Sequence, residues 1–137
     1  MALANGIGGF TGEGRDYTVV LEGDQETPLP WANVIANAEF GTIVTTSGAS
    51  HTWSINSREN RLTSFANDPV ADPTGEALFI RDDRTGATWS PTPGPMPREQ
   101  ADGRFIIEHS AGLTRFVRRF AGHHTTSCPY SSMWRTP

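Results

Sequence analysis

Apolar residues along this chain recur at every second position in short runs, and no segment holds the three- and four-residue spacing of a helix face. In the run from Tyr17 to Leu21, Tyr17, Val19 and Leu21 share one face and β-branched residues fill it, so a strand is expected. Trp31 to Asn37 reads as a short strand centred on Val34 and Ile35, and Phe40 to Thr46 as a stronger one. Gly48 stands where a tight turn returns the chain into Ser50 to Ser54. Glu76 to Arg81 and Ala87 to Ser90 flank the turn sequence D-D-R-T-G and predict a hairpin. Gly103 to His109 and Leu113 to Phe120 predict another, closed by Ser110, Ala111 and Gly112. There Phe105 and Ile107 fall on one face and Ile106 on the other, so both faces of that sheet are expected to be covered. The fold class that follows is all-β, an antiparallel β-sandwich.

Two connections differ from ordinary turns. P-T-P-G-P-M-P, from Pro91 to Pro97, is expected to be a stiff extended crossover, because each proline fixes its own φ and pushes its predecessor out of the α region. The stretch from Trp53 to Pro73 is a long polar excursion between two apolar runs, with Pro69 and Pro73 excluding a helix through its second half. It carries Asn56, Asn60, Asn67, Arg58, Arg61, Glu59, Asp68 and Asp72, yet keeps Trp53, Leu62, Phe65 and Val70 at intervals. A disordered tract lacks such anchors, and a long ordered loop usually has a function.

Composition narrows the classes. A chain of 137 residues with 36% hydrophobic residues supports one domain with a modest core. A net charge of -4 gives no electrostatic case for nucleic acid or an anionic membrane. All 11 basic residues are Arg, a compositional bias before it is a functional one. No apolar run is long enough to span a bilayer, and the N-terminus lacks the pattern of a signal peptide, so a cytoplasmic location is expected. Attachment of a parent protein to a membrane through other segments is compatible with that expectation. The single Cys128 and the spacing of the four His predict neither a disulfide nor a metal site, and no cofactor is expected. The glycine-rich N-G-I-G-G-F-T-G-E-G lacks the Lys and the following Ser or Thr of a phosphate-binding loop, and reads as a turn-rich approach to the first strand.

Seven segments in matching order carry a resemblance. N-G-I-G-G-F at Asn5, T-P-L-P-W-A-N-V-I-A-N at Thr27, F-G-T-I-V at Phe40, T-W-S-I-N-S-R-E-N-R-L-T at Thr52, N-D-P-V-A-D-P at Asn67, G-E-A-L-F-I-R-D at Gly75 and W-S-P-T-P at Trp89 resemble the N-terminal β-sandwich of glycoside hydrolase family 94. That family also bears the older name glycosyltransferase family 36, and the likeness is greater to the phosphorylase-like region of cyclic β-1,2-glucan synthases than to free cellobiose phosphorylases. It implies a supersandwich, galactose-mutarotase-like, of which this chain holds an incomplete part. It also implies a partner, a helical (α/α) barrel carrying the general-acid Asp, and a β-linked glucan or glucooligosaccharide as ligand. With the barrel absent, no catalytic residue is expected here. Ser64 and Phe65 stand where the family favours Pro and Trp, a departure that would weaken a stacking contact.

Residues 1–121 are therefore expected to form the N-terminal part of the β-sandwich, and residues 122–137 an atypical tail without alternation. The tail reads as a frameshift that replaces the next strand and truncates the protein; an intact reading frame across Ala121 in the resequenced gene would end that expectation. A purely structural docking module and a non-functional fragment stay open beside the carbohydrate-binding reading. The candidate sugar-contacting or loop-scaffolding residues are Trp53, Asn56, Arg58, Glu59, Asn60 and Arg61, joined by Trp31 and Trp89 as aromatic platforms. Aromatic faces take the C–H surface of a sugar, while amides, carboxylates and guanidinium groups pair its hydroxyls. The same polar groups can instead brace the loop's own backbone, and residue types alone leave both readings standing. Asp68 and Asp72 both precede Pro and are read as turn residues, and Glu59 is flanked by Arg58 and Arg61. His51 and His109 are expected to pack or hydrogen-bond within strands, and Arg115, Arg118 and Arg119 to form a solvated basic face.

Overall fold

The computed structural model describes residues 3–98, 103–120 and 123–131. Ten strands form in chain order: β1 Gly8–Thr11, β2 Asp16–Glu22, β3 Ala32–Ala36, β4 Phe40–Thr45, β5 Ser50–Ser54, β6 Ile80–Arg81, β7 Thr88–Trp89, β8 Arg104–Ser110, β9 Leu113–Phe120 and β10 His123–Ser131. They assemble into a five-stranded sheet in the order β1-β2-β8-β9-β10, a three-stranded sheet β3-β4-β5 and the two-stranded ribbon β6-β7. Every pairing is antiparallel. The all-β, antiparallel fold is the one the alternation predicts.

Register explains the core. Across β2, β8 and β9 the directly opposed residues form rows, Leu21 with Phe105 and Arg118, Val19 with Ile107 and Phe116, and Tyr17 with His109 and Thr114. All lie on one face because side chains alternate with period two. Val19, Leu21, Phe105, Ile107 and Phe116 are buried there and meet Val44 of β4, with Tyr17 and Trp31 packed against the cluster. The core thus sits between one face of the larger sheet and the three-stranded sheet. The β8–β9 hairpin turns at Ala111 and Gly112, where Gly112 takes φ +76° and Ser110 still pairs Leu113.

Several expectations are corrected. The strand expected over Glu76 to Arg81 shrinks to Ile80–Arg81, paired only with Trp89 and Thr88. The residues before it are drawn to β5 instead: Gly75 N–H donates to Ser50 O at 3.1 Å, and the Thr52 hydroxyl donates to Glu76 Oε1 at 2.6 Å. The proline crossover is not extended. Its chain bends from Pro91 through Met96 and is held by Gly94 N–H on Ser47 O at 2.6 Å and the Thr92 hydroxyl on Gly94 O at 2.6 Å. Pro91 and Pro93 are buried as a result. Arg118 does not join a solvated face: it is 5% exposed, lies 4.5 Å over the Phe105 ring and donates to Ser90 O at 2.8 Å. Arg115, of opposite parity, faces outward and pairs Glu108 at 3.2 Å. The tail is expected to lack a strand, yet the backbone of His123–Ser131 pairs β9 with one irregularity between Ser127 and Tyr130. No helix among the described residues is long and apolar enough to cross a membrane.

The two sheets predict different sensitivities. Ile107 is fully buried and Val34 is 59% exposed, so Ile107→Ala should lower stability by about 2–5 kcal/mol and Val34→Ala by about 0.5 kcal/mol or less. Urea unfolding with an unchanged slope is the check, and equal losses would place the core elsewhere.

Candidate functional site

The long loop leaves β5 through a short, tightly bonded tongue. Ile55 adopts φ +61° and donates its N–H to Glu39 O at 2.6 Å. Asn56 Oδ1 then accepts the N–H groups of Arg58 at 2.9 Å and Glu59 at 3.0 Å, an Asx turn that reverses the chain. Asn60 N–H returns to Asn56 O at 3.0 Å, and Asn60 O accepts Ser54 N–H at 3.1 Å. Arg61 completes the return by bridging Trp53. The side chain of Asn56 therefore braces the loop, whereas Arg58 and Glu59 point outward, 86% and 71% exposed, and meet each other at 3.2 Å. An exposed pair of this kind contributes little to stability, which leaves both groups available for other partners.

Beyond the tongue the chain runs along the outer edge of β5. Leu62 N–H and Thr63 N–H both donate to Thr52 O, at 2.9 and 3.2 Å, while Thr63 Oγ1 accepts Thr52 N–H at 2.8 Å. His51 Nδ1 bonds Ser64 O, and its ring meets Phe65 edge-on at 4.7 Å. Arg61 reaches over the same Phe65 ring at 5.8 Å and donates to Phe65 O at 3.4 Å. Phe65 thus has a packing role against His51 and Arg61. Asp68 Oδ1 accepts Val70 N–H at 2.9 Å and Ala71 N–H at 3.1 Å. Those two backbone donors, Ala71 the stronger, hold its carboxyl below the usual carboxylate range. Asp72 Oδ2 accepts the hydroxyls of Thr45 at 2.7 Å and Ser47 at 2.5 Å. Both carboxylates are engaged by turn and loop contacts.

The three candidate tryptophans part company. Trp53 stands directly across from Gly41 and lies on it so closely that a Cβ there would fall 2.1 Å from the indole. Gly41 thereby seats the ring at the base of the tongue. Trp89 is 6% exposed, so it offers no open ring face. Trp31 belongs to a second region, a cleft of about 410 Å³ lined by Phe10, Arg15, Tyr17, Asn33 and His109 among others. The structure brings Trp53 and Asn56 to Arg61 into one tongue and does not bring Trp31 or Trp89 into it. Among the described residues no cluster of three or more His, Cys, Asp or Glu is placed to hold a metal ion.

The sequence offered no single motif for the cleft. Its parts come from β1, β2, β3, β8 and the β8–β9 turn, and the pairing of Phe10 with Tyr17 and of Tyr17 with His109 aligns them. His109 Nδ1 meets the Thr114 hydroxyl at 3.1 Å, while its Nε2 is buried without a hydrogen-bond partner among the described residues. Burial lowers the His109 pKa to about 4.

Comparisons with known proteins agree on one family. The family described as "Glycosyl hydrolase 94, supersandwich domain" matches residues 15–130. The chain is 44% identical over 113 residues, 82% of its length, to a cyclic β-(1,2)-glucan synthase of Rhizobium meliloti (strain 1021), of which it spans 4%. It is 25% identical over 109 residues, 80% of its length, to an N,N'-diacetylchitobiose phosphorylase of Vibrio furnissii, of which it spans 13%. A phosphorylase of the same description from Vibrio proteolyticus is 24% identical over 117 residues, 85% of this chain and 14% of that protein.

A pH dependence follows from His109. Its pKa is about 4 when folded against an ordinary value of 6.5, so between these values the unfolded chain binds more protons and stability falls as pH falls. The contribution is fully present above about pH 6.5 and amounts to at most about 3 kcal/mol. Urea midpoints measured from pH 7 to pH 4 should decline less in His109→Gln than in the parent chain. Parallel declines would assign the acid sensitivity to other groups.

Proposed function

Because this chain belongs to the glycosyl hydrolase 94 supersandwich family, we propose that it is the non-catalytic, carbohydrate-contacting portion of a β-glucan phosphorylase or cyclic β-1,2-glucan synthase. Its place in such an enzyme is to shape the active site of a helical (α/α) barrel outside these residues. The observation that carries this reading is the 44% identity to a cyclic β-(1,2)-glucan synthase across 82% of the chain. The same alignment spans only 4% of that protein, so the remaining machinery lies elsewhere in such an enzyme.

The tongue supports the reading in physical terms. Asn56 holds the backbone, and the hydrogen bonds along β5 hold the return, so the exposed guanidinium of Arg58 and carboxylate of Glu59 start from a pre-ordered loop. Pre-ordering lowers the entropy lost when a flexible polyhydroxylated ligand is bound. A guanidinium presents a planar fork of donors to vicinal hydroxyls, and Trp53 at the base adds an aromatic surface.

A second reading has its own support. Asn56 and Asn60 commit bonds to the loop itself, while Ile55 and Leu62 are 76% and 54% exposed. These features suit a tongue that docks on the barrel and touches no sugar. The two readings diverge by experiment. Isothermal titration of the chain with β-1,2-glucooligosaccharides should show binding that Arg58→Ala and Arg61→Ala each weaken about tenfold. Binding unaffected by Arg61→Ala and Asn60→Ala would sink the tongue assignment. An absence of binding, with a gain in stability when the barrel is supplied in trans, would favour docking.

A further inference from the structure

The cleft beside Trp31 lies where the core cluster, through Tyr17 and Trp31, reaches the surface away from the tongue. Phe10 meets Tyr17 edge-on at 5.1 Å and 87°, and Tyr17 meets Trp31 edge-on at 5.9 Å and 80°. The edge-to-face contacts fix the three rings against one another along the cleft wall. Its volume, about 410 Å³, lies in the range of small-ligand sites. Phe10, on the edge strand β1, is 38% exposed at its mouth.

The polar groups of the cleft have bonds to spare. Asn33 Nδ2 donates to Ser110 O at 2.9 Å, Leu113 O at 3.1 Å and Thr114 Oγ1 at 3.1 Å, which fixes the amide. Its Oδ1 has no hydrogen-bond partner among the described residues. His109 Nε2 has none either, an omission that ordinarily costs about 1–3 kcal/mol. Neighbouring groups shut this atom from solvent, so a ligand hydroxyl pairs it only by displacing them.

The chemistry selects the ligand class. A neutral imidazole offers one nitrogen as donor and the other as acceptor, and a hydroxyl satisfies either. The one guanidinium of the cleft, Arg15, is 78% exposed; its Nε donates to Gly12 O at 3.0 Å and Glu13 lies 4.0 Å away. The guanidinium stays in water at the rim, where its pull on an ion is screened and its planar fork of donors suits vicinal hydroxyls. Aromatic walls with an amide, an imidazole and a guanidinium fork suit a polyhydroxylated ring. We infer that this cleft is a second carbohydrate subsite, which takes one pyranose ring against Phe10 and Trp31 and pairs its hydroxyls with Asn33 Oδ1 and His109 Nε2. The inference rests on the carbohydrate-contacting reading of the chain and places a separate site away from the tongue.

The experiment is an amide-resolved NMR titration of the ¹⁵N-labelled chain with β-1,2-linked glucotriose and, in parallel, N,N'-diacetylchitobiose. Saturable shifts are expected at the amides of Phe10, Tyr17, Asn33, Ser110 and Ala111, at the Trp31 indole N–H and at His109 Nε2. Phe10→Ala should weaken binding about five- to tenfold. Should that variant unfold, the map on the parent chain decides alone. Saturable shifts confined to residues 54–65 would overturn the subsite and leave the tongue reading intact. No saturable shift with either probe would overturn both.

Discussion

Two sheets packed face to face share few backbone hydrogen bonds, so their relative position hangs on side chains that cross the gap. Here Asn33 crosses that gap, and Arg118 ties the larger sheet to the proline crossover. Asn33 of β3 grips the β8–β9 turn through three bonds from one nitrogen, and Arg118 of β9 lies on Phe105 while holding Ser90 of the proline crossover. Between them sits the apolar cluster of Val19, Leu21, Val44, Phe105, Ile107 and Phe116. The apolar rows supply the larger share of the free energy, roughly 25 cal/mol for each Å² removed from water. These polar contacts are directional: Asn33 fixes the β8–β9 turn against β3, and Arg118 fixes the proline segment against β9.

A similar division of labour governs the edge of β5. A bare edge strand invites pairing with another chain. In this molecule the long loop covers that edge through Leu62, Thr63, Thr74 and Gly75, with His51 and Phe65 packed beside it. Polar groups that resemble a ligand-binding inventory are in part the means of satisfying this edge. What remains uncommitted is concentrated in the exposed Arg58 and Glu59, and in the cleft at the other side of the fold.

Much of the fold is legible in the sequence because its signals are local. Alternation at Tyr17, Val19 and Leu21 and the turn at Ala111 and Gly112 each lie within a few residues of the structure they specify. Arg118 is legible in principle: it shares the parity of Phe116, so period two assigns it inward, but three neighbouring arginines suggest solvent first. The contacts of Asn33 with Ser110 and Thr114 join residues 77 to 81 positions apart, and no local pattern announces them. The short β6 has the same cause, because Thr74 to Glu76 are captured by β5, a strand more than twenty positions before them. The tongue's role as an Asx-braced turn follows from residue type, but whether a given Asn, Arg or Glu braces or reaches outward depends on geometry that composition does not contain.

The double attachment of the long loop has an evolutionary consequence. Its departing half is tied to β5 at Thr52 and its returning half at Ser50, so the span between Phe65 and Val70 is insulated from the sheet. Chain can be added or removed there at a small entropic cost that grows only with the logarithm of length. Val70, 94% exposed, marks the far end of that permissive span. A lineage using this fold can retune what the span reaches without renegotiating a single strand pairing.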